Sequence, residues 1–288
     1  MRPSRRRGLA ALACLIATGA ITGMAAARPL DEVTASGVLR VAIYDDNRPF
    51  SEAGKASPRG IDADIAQAIA ERLKLKLDLR VVDAGENVDG DFRLNLWRGD
   101  LAGTPLADLM LHVPHDRILA TRNEQIFLTN PYFEQRLAFA YHRGRIEGFE
   151  GVRDLEGHSV AVEGTSASDS LLMNAEGGRF RGNVRHFRSF DEAAKAYLAG
   201  ETPILAGTRA GIEAALAAAG AAGEDNPVVE VPIPGLVRTR WDLGGAVRSD
   251  SRDLAYAVGD ALAALAQEGR LKAICATYGV TYTAPQGY

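Results

Sequence analysis

The sequence predicts an α/β protein built on parallel strands. Two observations carry this: strand, helix and strand follow one another from Val38 to Val82, and a second such series runs from His158 to Ala219. Val38-Leu-Arg-Val-Ala-Ile-Tyr44 is a short apolar run of buried-strand type, and Asp45-Asp46-Asn47-Arg48-Pro49-Phe50 is the loop that leaves it. From Ile61 onward, Ile61, Ile65, Ile69 and Leu73 recur at helical spacing. Asp62 and Asp64 stand near the start of that helix and Arg72 and Lys74 near its end, which complements the helix dipole. Leu77 to Val82 alternates as a strand, so the unit closes as a right-handed parallel crossover. A Gly- and acid-rich turn, Asp83 to Asp91, leads into a short helix at Phe92 to Trp97, and Asp108 to Val113 is a third strand.

Beyond that strand, Arg136 to Tyr141 and His158 to Val162 read as strands, and two helical patterns fill Gly164 to Gly200. The second of them opens with a Ser189, Glu192 capping box and stops at Gly200. Pro203 to Ala206 is a short strand, Arg209 to Ala219 an Ala-rich helix, and Leu243 to Val247 a last strand. From Ser251 a helical region runs towards the end of the chain, interrupted near Gly269.

The first 27 residues are set apart from this fold. Arg2, Arg5, Arg6 and Arg7 precede an uncharged run ending in Ala25-Ala26-Ala27, the pattern of a cleavable signal peptide with cleavage near Ala27. Export to the periplasm follows, with no membrane insertion after cleavage. The Arg6-Arg7 pair leaves general secretion and twin-arginine export both open. Removing the four arginines of that segment from 33 basic residues leaves 29 against 37 acidic ones, a formal charge of −8. An acidic chain of this kind argues against nucleic-acid binding and against a general affinity for anionic membranes. Of the two cysteines only Cys275 lies beyond the signal segment, so no intrachain disulfide forms and stability rests on packing.

Taken together, LRVAIYDDNRPF, GIDADIAQAIAERL, DLMLHVPHDR, NPYFEQRLAF, LEGHSVAVEGTSASD and GGAVRSDSRDL resemble, in this order, family 3 of the periplasmic solute-binding proteins, the polar amino-acid receptors of ABC transporters. The resemblance implies a type II periplasmic-binding-protein fold: two lobes, two crossing strands between them, and a solute held in the cleft. Lobe 1 would be 28–139 and 242–288, and lobe 2 would be 140–241. Val113-Pro114 and Asn130-Pro131-Tyr132-Phe133 resemble most the branch encoded beside pyrroloquinoline-quinone alcohol dehydrogenases, the methanol-dehydrogenase-associated MxaJ/XoxJ-like proteins. The stretches 101–107 and 118–126 depart from the usual receptor pattern. The implied partners are an ABC permease or, in the branch, a periplasmic quinoprotein dehydrogenase or its cytochrome. The chain is expected to be a monomer without a cofactor.

The resemblance also selects site candidates. Asp45 and Phe50 fall in the family's cleft loop, with Phe50 the better placed to cover a solute; the same acids serve equally as turn residues. Arg117 matches the arginine whose planar fork grips a solute carboxylate. His112 would line the cleft at the end of its strand. A metal held by His112, His115 and Asp116 is disfavoured, because Pro114 makes a turn between the rings and no third ligand type converges nearby. Gly164, Thr165 and Ser166 follow a strand and open a helix, where backbone N–H groups can meet an anion, although Ser166 also suits a cap. Thr208 closes the segment Pro203-Ile-Leu-Ala-Gly-Thr208, where amino-acid receptors place an aspartate for the α-ammonium group; this chain has no acid there. A zwitterionic amino acid is therefore disfavoured, and a small anionic or neutral solute expected.

Three functions remain in view. The first is a non-enzymatic receptor; the second is an accessory protein that docks on a quinoprotein dehydrogenase. The third is a dehydratase of the same fold, with Glu163 as its cleft acid. No Ser or Cys triad, phosphate-binding glycine loop or zinc spacing occurs in the chain.

Overall fold

The computed structural model describes residues 28–231 and 238–287. The expected signal segment lies outside them. The element order is α1 (Leu30–Ser36), β1 (Val38–Tyr44), α2 (Ile61–Arg72), β2 (Lys76–Val82), α3 (Val88–Phe92) running on into a wide helical turn to Trp97, then β3 (Leu109–Pro114). It continues with α4 (Arg117–Arg122), β4 (Ile126–Leu128) and β5 (Phe133–Tyr141). The second series is β6 (Val160–Glu163), α5 (Ala167–Asn174), β7 (Val184–Phe187), α6 (Phe190–Leu198), β8 (Ile204–Thr208), α7 (Arg209–Ala218) and β9 (Val228–Val229). The chain finishes with β10 (Arg240–Arg248), α8 (Arg252–Gln267) and α9 (Arg270–Thr277).

Strands run in the order β2-β1-β3-β10-β5-β8-β6-β7, with β4 paired to β10 and β9 to β5. Parallel pairing of β1 with β2 and β3, and of β6 with β7 and β8, confirms the two strand–helix–strand series. Two long antiparallel strands join them. Phe133–Arg136 of β5 pairs with Arg240–Leu243 of β10, whereas Leu137–Tyr141 of β5 changes partner to β8. The expected lobe boundaries at Phe139 and Trp241 both fall inside these strands.

Each half has its own core. In the first, Val41, Ile43, Leu109 and Leu111 meet Ile61, Ile65 and Ile69 of α2 and Leu254 and Leu262 of α8. In the second, Val160, Val162, Ile204 and Phe139 pack with Leu171 and Leu172 of α5. Trp241 is half-buried and packs against both cores.

Four local features differ from the sequence reading. The polar stretch 28–37, to which the sequence reading assigns no element, holds α1, which begins after Pro29 and ends on Gly37 in a left-handed C-cap at φ 67°. The turn expected after Pro114 holds α4, nucleated by Asp116, whose side chain accepts the Leu119 N–H. Between the two helical patterns of 164–200 lies β7, whose Val-Arg-His-Phe sequence carries too little apolar periodicity to announce an exposed strand. At α6, Ser189 accepts the Glu192 N–H as expected, but the Glu192 carboxylate reaches Arg188 N–H instead of completing the box.

The first-lobe sheet is anchored to the start of the described chain by Asp108. Its buried carboxylate accepts from Arg28 at 2.6 and 3.0 Å and from the Arg40 N–H at 2.8 Å. Among the described residues no helix is long and apolar enough to cross a membrane.

Candidate functional site

A cavity of about 280 Å³ opens where the two strand series face each other. The carboxyl end of β1 delivers the loop with Asp46, Asn47, Arg48 and Phe50, and β3 delivers His112. From the opposite side come Glu163 at the end of β6, Ser166 and Ser168 of α5, Ser189, Phe190 and Asp191 at α6, and Gly207 and Thr208 at the end of β8. The two joining strands supply the floor with Gln135, Leu137 and Trp241. This is the crevice beyond the carboxyl ends of strands that open α/β sheets use for ligands.

His112 owes its position to an irregular backbone. It sits in β3 at φ 61°, a left-handed conformation uncommon for a non-glycine residue, where the pairing of β3 with β10 shifts register. Three groups hold it there. Its Nδ1 lies 2.9 Å from Asp62 Oδ2, and its backbone N–H donates to Tyr132 Oη at 3.0 Å. Tyr132 in turn donates to Asp62 Oδ1 at 2.6 Å, and the Phe50 ring meets the His112 imidazole edge-on at a centroid distance of 4.6 Å. Asp62, which the sequence offers as a dipole-complementing residue, is a fully buried carboxylate. Burial and the Asp62 charge hold the Tyr132 hydroxyl well above its ordinary value.

The opposite wall is acidic. Burial pushes the Glu163 carboxyl above its ordinary value, and the nearby charges of Asp46 and Asp191 push it the same way. Arg48 bridges the cavity mouth. Its Nη1 donates to Asp191 at 2.8 Å and its Nε to Glu52 at 2.6 Å, so one guanidinium ties a first-series loop to a second-series helix. The ring of Phe190 lies against Gly207, where any Cβ would collide with it. Gln135 is only 4% exposed, yet its Oε1 has no hydrogen-bond partner within the described protein; Asn47 Nδ2 is likewise buried and unpartnered. Such groups cost stability unless something enters to satisfy them.

Of the residues the sequence nominates, Phe50, His112, Ser166 and Thr208 line this cavity. Ser166 and Thr208 also cap helices, accepting from the N–H groups of Asp169 and Gly211. Gly164 and Thr165 stand just outside the lining. Gly164 donates to the Phe187 carbonyl, and the Thr165 N–H is taken by the Asp169 carboxylate at 2.8 Å. Asp45 braces the loop: its Oδ1 accepts the N–H groups of Asp46 and Ala53, both at 2.8 Å.

Arg117 is the clearest correction. It is exposed at the start of α4 and lines a separate opening with His115, Asp116, Arg238 and Asp242, which shares only Trp241 with the first cavity. The helix begun by Asp116 turns it outward. Sequence reasoning missed Gln135, Trp241, Phe190 and Asp191. Gln135 and Trp241 had a usable signal, since each shares a strand face with core residues, Gln135 with Phe133 and Leu137 and Trp241 with Leu243. Asp191 and Phe190 follow an N-cap serine and read as ordinary first-turn residues.

No sequence-family profile matches the chain. A stretch of 81 residues is 43% identical to cyclohexadienyl dehydratase of Pseudomonas aeruginosa; it makes up 27% of this chain and 29% of that enzyme's length. Solved structures agree over far more of the chain. An ancestral cationic amino-acid solute-binding protein superposes with a TM-score of 0.67 at 21% identity, covering 86% of this chain and 98% of the other. An amino-acid ABC transporter substrate-binding protein of Streptococcus pneumoniae bound to L-arginine gives 0.60 at 21% identity, covering 88% and 98%. A histidine-bound ABC uptake transporter protein from the same organism gives 0.58 at 17%, covering 86% and 94%. The fold is that of the two-lobed periplasmic binding proteins. The cavity described above is therefore an interlobe cleft, and β5 and β10 are the strands that cross between lobes.

Proposed function

We propose that the protein is a solute-binding protein that holds a small, positively charged polar solute between its lobes and presents the closed form to an ABC permease. The observation that carries the charge is the cleft lining itself: Asp46, Glu163 and Asp191 line one small cavity together with Phe50, Phe190 and Trp241, against the single cation Arg48 among the described lining residues. Carboxylates attract a cation, and aromatic faces stabilise it further once it is desolvated. The sequence leads to an expected anionic or neutral solute, and the anionic alternative relies on Arg117 and on the start of α5. Arg117 stands outside the cleft, and the Asp169 carboxylate already occupies the Thr165 N–H. A thermal-shift panel of cationic, neutral and anionic solutes tests this reading. A true ligand at about 100 times its Kd adds roughly 2.7 kcal/mol, a rise on the order of 5–10 °C. Shifts confined to cations support it; shifts confined to anions refute it.

A second reading has its own observation. Glu163 is a half-buried cleft carboxyl biased towards its protonated form, which suits a general acid, and part of the chain is similar to a dehydratase. Release of water from a cyclohexadienyl acid by the purified protein, abolished in Glu163→Gln, would establish it. The accessory role beside a quinoprotein dehydrogenase concerns the outer surface, where Leu94, Leu101 and Ile118 are exposed on or beside the stretches that depart from the receptor pattern. Pull-downs with periplasmic dehydrogenases test that role, and Leu101→Ser with Ile118→Ser should weaken any capture.

A further inference from the structure

We infer that the cleft selects an organic amine or guanidine that lacks a carboxylate, in preference to the amino acid bearing the same cationic group. The inference rests on the receptor reading and concerns what the second end of the solute is.

An amino acid brings a carboxylate that needs donors of its own once it is taken from water. Among the described cleft residues the one permanent cation is Arg48, and its guanidinium is already shared between Glu52 and Asp191. What the cleft does offer is acceptors. Gln135 Oε1 is buried without a partner. His112, with Nδ1 turned to the buried Asp62, leaves its other ring nitrogen as an acceptor when the ring is neutral. Glu163 and Asp191 stand on the facing wall. A ligand with several N–H donors on a compact cation satisfies these groups together, whereas an added carboxylate would stand beside three like charges in about 280 Å³. Asn47 Nδ2 remains for a neutral acceptor or for water.

Matched pairs isolate the carboxylate. Calorimetric titration of the purified protein with agmatine against arginine, and with putrescine against ornithine, should show the decarboxylated member binding at least about tenfold more tightly in each pair. Gln135→Leu and Glu163→Gln should each weaken agmatine or putrescine by about tenfold while circular dichroism stays unchanged. Equal or tighter binding of arginine or ornithine overturns the inference and leaves the receptor reading intact. If none of the four binds while another cation of the charge panel does, the inference falls and the receptor reading again stands. If no solute of any class binds, the receptor reading falls and takes this one with it.

Discussion

The triad of Asp62, Tyr132 and His112 makes the sharpest test of how this cleft is held in shape. The Asp62 side chain is wholly inaccessible and accepts from Tyr132 at 2.6 Å and faces His112 Nδ1 at 2.9 Å. Hydrogen bonds to a charged group contribute about 1.5–3 kcal/mol each. Asp62→Ala removes both but also abolishes the cost of keeping a carboxylate from water, which places the net loss at about 3–5 kcal/mol. That corresponds to a Tm drop of roughly 10 °C at this chain length. Tyr132→Phe deprives Asp62 of one donor and the His112 N–H of its acceptor, and should cost about 2 kcal/mol. Because both substitutions break the same bond, the double variant should lose about 1–2 kcal/mol less than the two losses added together. Urea denaturation of the four proteins, with the slope held constant across them, supplies the cycle. Additivity to within about 0.5 kcal/mol, or an Asp62→Ala loss below about 1 kcal/mol, would show that the network does not position His112.

Other outcomes follow from the same geometry. Glu163 is held above its ordinary value of 4.5, so its contribution to stability is full below that pH and is lost as pH rises through the higher folded value; urea denaturation at several pH values should show this slope in the native chain and not in Glu163→Gln. Cation binding should accordingly release protons in the same window, measurable as a buffer-dependent calorimetric heat. Arg117→Ala should leave ligand affinity within about twofold, since the residue stands on another opening; a larger loss in a titration would return it to the site. Asp108→Ala abandons Arg28 and the Arg40 N–H in a buried setting and should cost about 3–5 kcal/mol in denaturation, without changing affinity.

The scaffold was legible where local periodicity and tertiary need coincide. β1 runs from Val38 to Tyr44 as its apolar run suggests, and α2 buries Ile61, Ile65 and Ile69 on one face. The helix break at Gly269 is a left-handed N-cap at φ 72°, a conformation that glycine adopts without strain. The site was less legible, because its residues play roles that sequence position disguises. Asp62 sits where any helix welcomes an acid, and only the fold turns it inward against Tyr132, 70 residues away. Arg117 has the chemistry of a carboxylate clamp, but direction decides, and a cap at Asp116 sends it out of the cleft. Gln135 was legible in principle, since it stands in phase with Phe133 and Leu137 on one face of its strand, and a polar residue on an otherwise apolar face marks a place where that face meets something other than core.

Those joining strands also connect recognition to motion. Gln135 and Leu137 of β5 and Trp241 of β10 touch the cleft from the segments through which any rotation of one lobe against the other must pass. Trp241 packs on both cores, so its ring senses the angle between them. Across the mouth, Arg48 and Asp191 form a partly exposed pair that contributes only about 0–1 kcal/mol to closure by itself. On the receptor reading, closure therefore draws on the solute, which would satisfy Gln135 at the floor and offset the charges of Asp46, Glu163 and Asp191. A ligand that met only one wall would bind both open and closed forms alike and shift neither. On the proposed receptor reading the arrangement demands a solute that touches floor and both walls, and this demand, more than any single contact, is what the titrations above put to the test.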